Sequence, residues 1–300
     1  MNDKKINLPC PICRSLDHTP VYPDTIGDQY PVFGYNFSVQ HTLNYRLVRC
    51  NNCSHHFSSP RHKDIYMHYQ DVIDNAYLEN KNDYLSTYKR NIKRIIKIKP
   101  GGKLLDVGCS AGYFLEIASE YYAVEGLELS SWAIEIAKNK GFKIHPCILK
   151  DFNEEKLYDI ITLWGVVEHF EHPADEVGKL YKLLNKDGII CFWTGDISSI
   201  TSRILGRKWW YHQGQHIQMY TKKSITKLFE DNGFEKIYMG TYIYVMTMSS
   251  INKSLARYPF IHKITKSILT SRFLSKKKIA IKLPGEMLGF FRKKSALNQT

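Results

Sequence analysis

Apolar positions along this chain follow two rhythms. Residues 60 to 99 are polar overall, with Ile92, Ile95, Ile96 and Ile98 at helical spacing, and Pro100-Gly101-Gly102 closes this lead-in. Leu104, Leu105 and Val107 then make a short strand, Gly108 to Gly112 a turn, and Tyr113 to Ser119 the start of a helix. Ala123 to Leu127 reads as a second strand ending on Glu128. Ser131 is the expected cap of the next helix, which carries Trp132, Ile136 and Ala137 on one face and stops at Gly141. Tyr158 to Val167, YDIITLWGVV, is a longer apolar strand. Pro173 suits a first helical position, Asp175 and Glu176 the first turn, and Leu180, Leu183 and Leu184 the buried face, with an end at Asn185 to Gly188. Ile189 to Thr194 is again a strand. Thr221 or Ser224 caps a helix with Ile225, Leu228 and Phe229 inside, stopped at Asn232-Gly233, and Gly240 to Met248 reads as a strand. Strands alternating with helices predict an α/β fold, a parallel sheet with helices on its faces.

Composition narrows this reading. A 300-residue chain with 43% hydrophobic and 24% charged residues is that of a globular protein with one large domain and an appendage, or two domains. Its +13 charge is local, because residues 251 to 300 hold twelve Lys/Arg against the single acid Glu286. A polyanion grip over the whole surface is therefore not expected. The opening MNDKKINLPCPIC has no apolar signal core, and no stretch approaches the ~18 apolar residues of a membrane span. The expected location is cytoplasmic, where cysteines serve as thiols or metal ligands.

Four of the seven cysteines form two pairs, Cys10-Pro-Ile-Cys13 and Cys50-Asn-Asn-Cys53. Two C-x-x-C turns offer four sulfurs to one ion, the closed coordination of structural zinc. The 36 residues between the pairs leave room for a β excursion such as Tyr45 to Arg49, and His55 or His56 is an alternative ligand. Residues 1–60 are thus expected to be a small zinc-ribbon module, 61–99 a helical lead-in, and 100–300 the main domain.

The glycine turn lets a ligand approach the backbone, and Glu128 lies at the distance along the chain where an acid receives a ribose diol. The turn lacks G-x-G-x-x-G, however. It also has Asp106 just before it, which would repel a pyrophosphate and welcome a cationic ligand. A second signal is Glu168-His169, placed where an apolar strand runs out, the end at which open α/β sheets bind ligands. Histidine suits proton removal near neutral pH. Residues 196 to 220 are polar, aromatic and basic, like an inserted active-site loop, and His216 there is a second base candidate, with His212 behind it.

The stretch LLDVGCSAG resembles the first motif of the class I S-adenosylmethionine-dependent methyltransferases, and EHFEHP resembles the E-H-x-x-x-P element of their small-molecule and sugar-acting members. The resemblance implies a Rossmann-like, doubly wound, mostly parallel seven-stranded sheet, whose last strand matches Ile281 to Lys293. It implies S-adenosylmethionine as cofactor, with Asp106 and Gly108 near its methionine part, Gly112 as a close-approach glycine, Glu128 on the ribose, and Leu149 and Asp151 near the adenine. Ser110 stands where many members have glycine. The catalytic candidates are then His169, His216 and Glu168, and the acceptor a small or sugar-like molecule, nucleotide- or lipid-linked, or a glycan or glycolipid. Between residues 251 and 283 a basic insertion places Ile261, Ile264 and Ile268 on one helical face beside Lys263 and Lys266, with Arg272 and Lys276 to Lys278 adding charge. It suits an anionic membrane surface or a lid over the substrate pocket. Nucleic acid is not the expected partner. A zinc-ribbon RNA methyltransferase and a non-catalytic zinc-ribbon binding protein are the competing readings; the ribbon is not notably basic, and the cofactor motif is intact.

Overall fold

A computed structural model describes residues 4–35, 43–153, 155–271 and 273–294, so Arg272 lies outside the described residues. The chain opens with three short strands, β1 (His18–Tyr22), β2 (Leu47–Cys50) and β3 (His56–Ser58). Helices α1 (Asn75–Glu79) and α2 (Lys81–Ile98) follow. The central alternation is β4 (Lys103–Val107), α3 (Tyr113–Ala118), β5 (Ala123–Leu127), α4 (Ser131–Asn139), β6 (Lys143–His145), β7 (Tyr158–Trp164), α5 (Pro173–Leu183) and β8 (Leu184–Gly195). Then come α6 (Ile200–Leu205), the two-residue β9 (Gln218–Met219), α7 (Lys222–Asp231), β10 (Phe234–Gly240), β11 (Ile243–Thr247), α8 (Met248–Leu255), α9 (Pro259–Leu269), β12 (Lys278–Lys282) and β13 (Glu286–Lys293).

The main sheet has seven strands in the order β10-β13-β8-β7-β4-β5-β6. Its pairings are parallel from β8 to β6, and β13 runs antiparallel to both neighbours. This is the expected mostly parallel, doubly wound sheet. Both faces are covered, which is why Leu104, Leu105, Ile160, Ile161, Leu163, Ile190 and Phe192 are all buried without polar alternation. One face packs Phe192, Phe229 and Phe291 as a stack with ring centroids 4.6 to 5.9 Å apart; each such pair adds ~0.5–1.5 kcal/mol beyond area burial. On the other, α2 and α3 bring Tyr88, Ile92, Ile95 and Phe114 together.

Local details depart from expectation for identifiable reasons. The strand from Tyr158 ends at Trp164, not Val167: Gly165 turns the backbone at φ 71°, and a 3-10 turn at Val167–His169 follows. Ser130, rather than Ser131, caps α4, because its hydroxyl accepts from the Ala133 N–H while Ser131 is already helical. Thr221 and Ser224 both act, as the two halves of one capping box. The stretch Gly240 to Met248 is not one strand: β10 ends at Gly240 in the main sheet, and β11 pairs with β12 in a separate two-stranded ribbon. The last main-sheet strand likewise begins at Glu286, since Ile281 and Lys282 belong to β12. Residues 241 to 285 therefore form an excursion containing both α8 and α9.

The four-stranded sheet has the order β1-β2-β3-β9, so a strand from the 196–220 loop completes the sheet begun by the N-terminal module. Buried polar contacts tighten the join. His55 Nε2 lies 2.9 Å from Gln218 Oε1, and the Gln218 amide donates to the Phe170 carbonyl at 2.8 Å. Arg61 and Glu171 form a buried ion pair at 3.6 Å, and the Glu171 carboxylate also accepts from the Asp64 and Ile65 N–H groups. Replacing Gln218 by Leu would strand the His55 ring nitrogen and the Phe170 carbonyl in the dry interior. An unmet buried polar group costs ~1–3 kcal/mol. Gln218→Leu is expected to lower the denaturation midpoint by at least the equivalent of one such group, measured by chemical unfolding; an unchanged midpoint would show that the join is not held this way.

Candidate active site and metal centre

Two acids expected from the sequence meet at the carboxyl edge of the sheet. Asp106, on β4, is fully buried and accepts the Thr162 hydroxyl at 2.6 Å. Burial pushes its carboxyl up to about 8, the Thr162 hydrogen bond works against this, and the Glu128 charge adds to it. Glu128, just after β5, is also buried. Its carboxylate accepts from the N–H groups of Ser110 at 2.8 Å, Leu129 at 2.7 Å and Ser130 at 2.9 Å. The fourth donor is the Tyr35 hydroxyl at 3.0 Å. Burial raises the Glu128 carboxyl, against these hydrogen bonds.

The glycines shape this turn from the protein side. Gly108 has φ 69°, and a Cβ there would lie 2.8 Å from a Val166 methyl. Gly112 has φ 75° and precedes α3; a Cβ there would lie 3.2 Å from both Ala137 and Phe142. Both positions thus exclude side chains through backbone conformation and protein contact. Leu149 and Asp151 occupy the 3-10 turn after β6, Leu149 in the core and Asp151 exposed.

The acid–imidazole pair joins the second candidate histidine. Ligand atoms of Glu168, His169 and His216 all lie within 4.8 Å of one another, and the two imidazole rings meet edge-on at 4.9 Å. Each ring has Nδ1 against a carbonyl: His169 at 2.8 Å from Gln215 O, His216 at 2.7 Å from Tyr211 O. A carbonyl can only accept, so both protons sit on Nδ1 and Nε2 is the basic nitrogen of each ring. Burial holds the His169 imidazole down to about 4, although the Gln215 and Gly165 backbone favours the charged form. Glu168 is buried, accepts the hydroxyls of Tyr211 and, at 2.9 Å, Thr194, and is raised by burial to about 7 despite them. His212 does not join this cluster; its ring packs against Tyr22.

Several site residues carry no sequence signal. Tyr35 arrives from the N-terminal module, its N–H donating to Asp74 at 3.0 Å. Tyr69, in the lead-in, donates to Gln215 at 3.0 Å and lies 3.3 Å from His169 Nδ1. Thr194 holds Glu168 together with Tyr211, whose aromatic loop the sequence did mark without singling this tyrosine out. Periodicity is blind to all of them, since an isolated tyrosine looks the same in a core as in a site.

The four N-terminal cysteines converge as well. Cys10 and Cys53 sulfurs are 3.5 Å apart, those of Cys13 and Cys50 3.4 Å, and all four fit within 4.8 Å. None is in a disulfide. Zn–S bonds of ~2.3 Å in a tetrahedron put sulfurs ~3.8 Å apart, so the donor set has the size of one such ion. His55 is turned away toward Gln218 and Ser224. Among the described residues no helix is long and apolar enough to cross a membrane.

The sheet order, with one buried acid near the end of β4, another just after β5 and the Glu168–His169–His216 cluster beyond β7, is that of a Rossmann-like fold. A family model described as "Methyltransferase domain" matches residues 77–238, over half of the chain. The chain belongs to this family and carries an S-adenosylmethionine-dependent methyltransferase domain. It is 26% identical over 112 residues to the ubiquinone biosynthesis O-methyltransferase of Pasteurella multocida (strain Pm70), covering 31% of this chain and 46% of that protein. The chain thus spans less than half the length of that relative. It is 27% identical over 205 residues to an uncharacterized protein of Methanocaldococcus jannaschii, covering 65% and 76% of the two chains. The crystal structure of a putative methyltransferase from Bacillus halodurans C-125 shares the fold at a TM-score of 0.50 and 15% identity, covering 70% of this chain and 100% of that one.

Proposed function

We propose that this protein transfers a methyl group from S-adenosylmethionine to a small or sugar-like acceptor that meets the Glu168–His169–His216 cluster. The observation that carries the reading is the convergence of these three side chains beyond the end of β7, at the same carboxyl edge of the sheet as Asp106 and Glu128. When bound, S-adenosylmethionine supplies an activated methyl on a cationic sulfonium. The residues present fit it: Asp106 is a buried acid that would receive the ammonium, and Glu128 already accepts a hydroxyl, that of Tyr35, as it would a ribose hydroxyl. The Glu128→Ala protein should bind S-adenosylmethionine at least ~10-fold more weakly, from a charge-assisted hydrogen bond of ~1.5–3 kcal/mol. Tyr35→Phe, which removes only the competing hydroxyl, should bind it as well as the wild type or better. Calorimetry separates the two; equal loss in both variants would sink the ribose assignment.

The chain's own part in the reaction is alignment and proton removal. His169 and His216 each present a basic Nε2, and an acceptor hydroxyl hydrogen-bonded there loses its proton to the imidazole as the methyl arrives. Glu168, held by Tyr211 and Thr194, stabilises the imidazolium. A base contributes ~10²–10⁴ in rate, so His169→Ala and His216→Ala should lower turnover by such factors while leaving cofactor affinity within about twofold. Unchanged turnover in both would reduce the histidines to scaffold. One observation favours a second reading: two imidazoles and a carboxylate with ligand atoms within 4.8 Å of one another also suit a divalent cation. Metal bound in addition to that of the cysteines, and lost in the His169→Ala/His216→Ala protein, would assign the cluster to that role.

The N-terminal module is proposed to hold one structural zinc through Cys10, Cys13, Cys50 and Cys53, with no position left for substrate. Wild-type protein expressed in zinc-replete medium should contain zinc that the Cys10→Ser/Cys50→Ser variant lacks, by elemental analysis. Zinc-free wild type would refute the assignment. The helix α9, with Ile261, Ile264 and Ile268 exposed beside Lys263 and Lys266, supports peripheral contact with an anionic membrane surface as part of the same proposal.

A further inference from the structure

A cavity of about 700 Å³ lies where the N-terminal module, the 196–220 loop and the α8–α9 turn meet. Its size falls in the ~300–1,000 Å³ range of small-molecule sites. Arg207 and Lys208 line it from the loop, and Arg257, Tyr258 and Phe260 from the α8–α9 turn. Among the described residues, none of those that line it is an acid. The neighbouring acid Asp24 is turned to Lys5, with which it pairs at 2.7 Å.

The wall is built rather than incidental. Arg257 is partly buried and donates to the carbonyls of Trp210 at 3.4 Å and Trp209 at 3.3 Å, which fix its guanidinium at the cavity. The Tyr258 hydroxyl donates to the Lys208 carbonyl at 3.0 Å, clamping the loop to the helical turn. His212 also lines the cavity; it is 5% exposed, and its Nδ1 has no hydrogen-bond partner among the described residues. The next residue back, Tyr211, places its hydroxyl on Glu168 and its carbonyl on His216. One short segment therefore forms the wall of the cavity and the support of the reactive cluster.

Resting on the methyl-transfer reading, we propose that this cavity binds the phosphate or diphosphate of the acceptor, so that the transferase acts on a phosphate-linked substrate. Guanidinium and ammonium groups with no competing carboxylate suit phosphate oxygens. The tyrosine and phenylalanine rings suit the organic group attached to them. That group is a nucleoside or a lipid chain, and exposed Ile264 and Ile268 continue the apolar surface along α9.

The test is calorimetric, on the full-length protein, with inorganic pyrophosphate, uridine diphosphate and farnesyl diphosphate as probes. Pyrophosphate should bind more weakly as salt rises. Arg257→Gln and the exposed pair Arg207→Gln/Lys208→Gln should each weaken it at least ~10-fold, the scale of a lost charge-assisted hydrogen bond. S-adenosylmethionine affinity should stay unchanged in both, and the double variant controls for any folding defect in Arg257→Gln. Tighter binding of uridine diphosphate than pyrophosphate identifies a nucleotide-linked acceptor, and tighter binding of farnesyl diphosphate a lipid-linked one. No pyrophosphate binding, equal binding in the variants, or no gain from either organic group overturns the proposal. Failure to bind S-adenosylmethionine would instead overturn the methyl-transfer reading, which the pyrophosphate titration does not measure.

Discussion

The site is governed by one constraint: carboxylates buried beside one another without a cation to neutralise them. Among the described residues, Asp106, Glu128, Glu168 and Glu286 appear in no ion pair, and all four are buried. Taking a charge out of water is costly unless hydrogen bonds replace the lost solvation. The fold supplies neutral donors instead. Glu128 takes three backbone N–H groups and a phenol, and Glu168 takes a phenol and an alcohol. Glu286 takes the indoles of Trp193 and Trp210 and the Tyr244 hydroxyl, each at 2.7 Å. Much of the surrounding architecture, from the tyrosine of the N-terminal module to Trp193 on β8 and Trp210 of the inserted loop, is the scaffolding of these donors.

The sheet was legible because its physics is local. Short apolar runs bounded by glycine turns, and helices with one buried stripe, announce themselves within about ten residues, so β4, β5, β7 and β8 and the helices between them follow from pattern, whereas β6, three residues with one buried apolar side chain, leaves no such signal. Asp106, Glu128, Glu168 and His169 were legible for a related reason: each stands where an apolar run stops, and strand ends are where such sheets present polar groups. His216 was found through the composition of its loop. What stayed hidden depends on contacts between distant segments. Tyr35 reaches Glu128 across 93 residues and Tyr69 reaches Gln215 across 146, and no periodicity encodes either distance. The split of residues 240 to 248 into two sheets was hidden as well, because an apolar run does not say which partner its strand will find.

The decorations of the fold are not peripheral to it. The sheet of the cysteine-bearing segment is completed by β9, from the loop that also carries His216 and Tyr211. The α8–α9 excursion holds that loop from its other side through Arg257 and Tyr258. Contacts thus run without a break from each of the three segments to Glu168.

The pairing of β3 with β9 has a consequence during synthesis. Some 160 residues separate the partners, so the outer edge of β3 leaves the ribosome long before its neighbour exists. At ~5–20 residues per second, the interval is on the order of ten to thirty seconds. Throughout it, His56 to Ser58 present unpaired backbone N–H and C=O groups, the kind of edge that invites pairing with another chain. The brevity of β3, three residues long, is the protection that a nascent chain can carry with it.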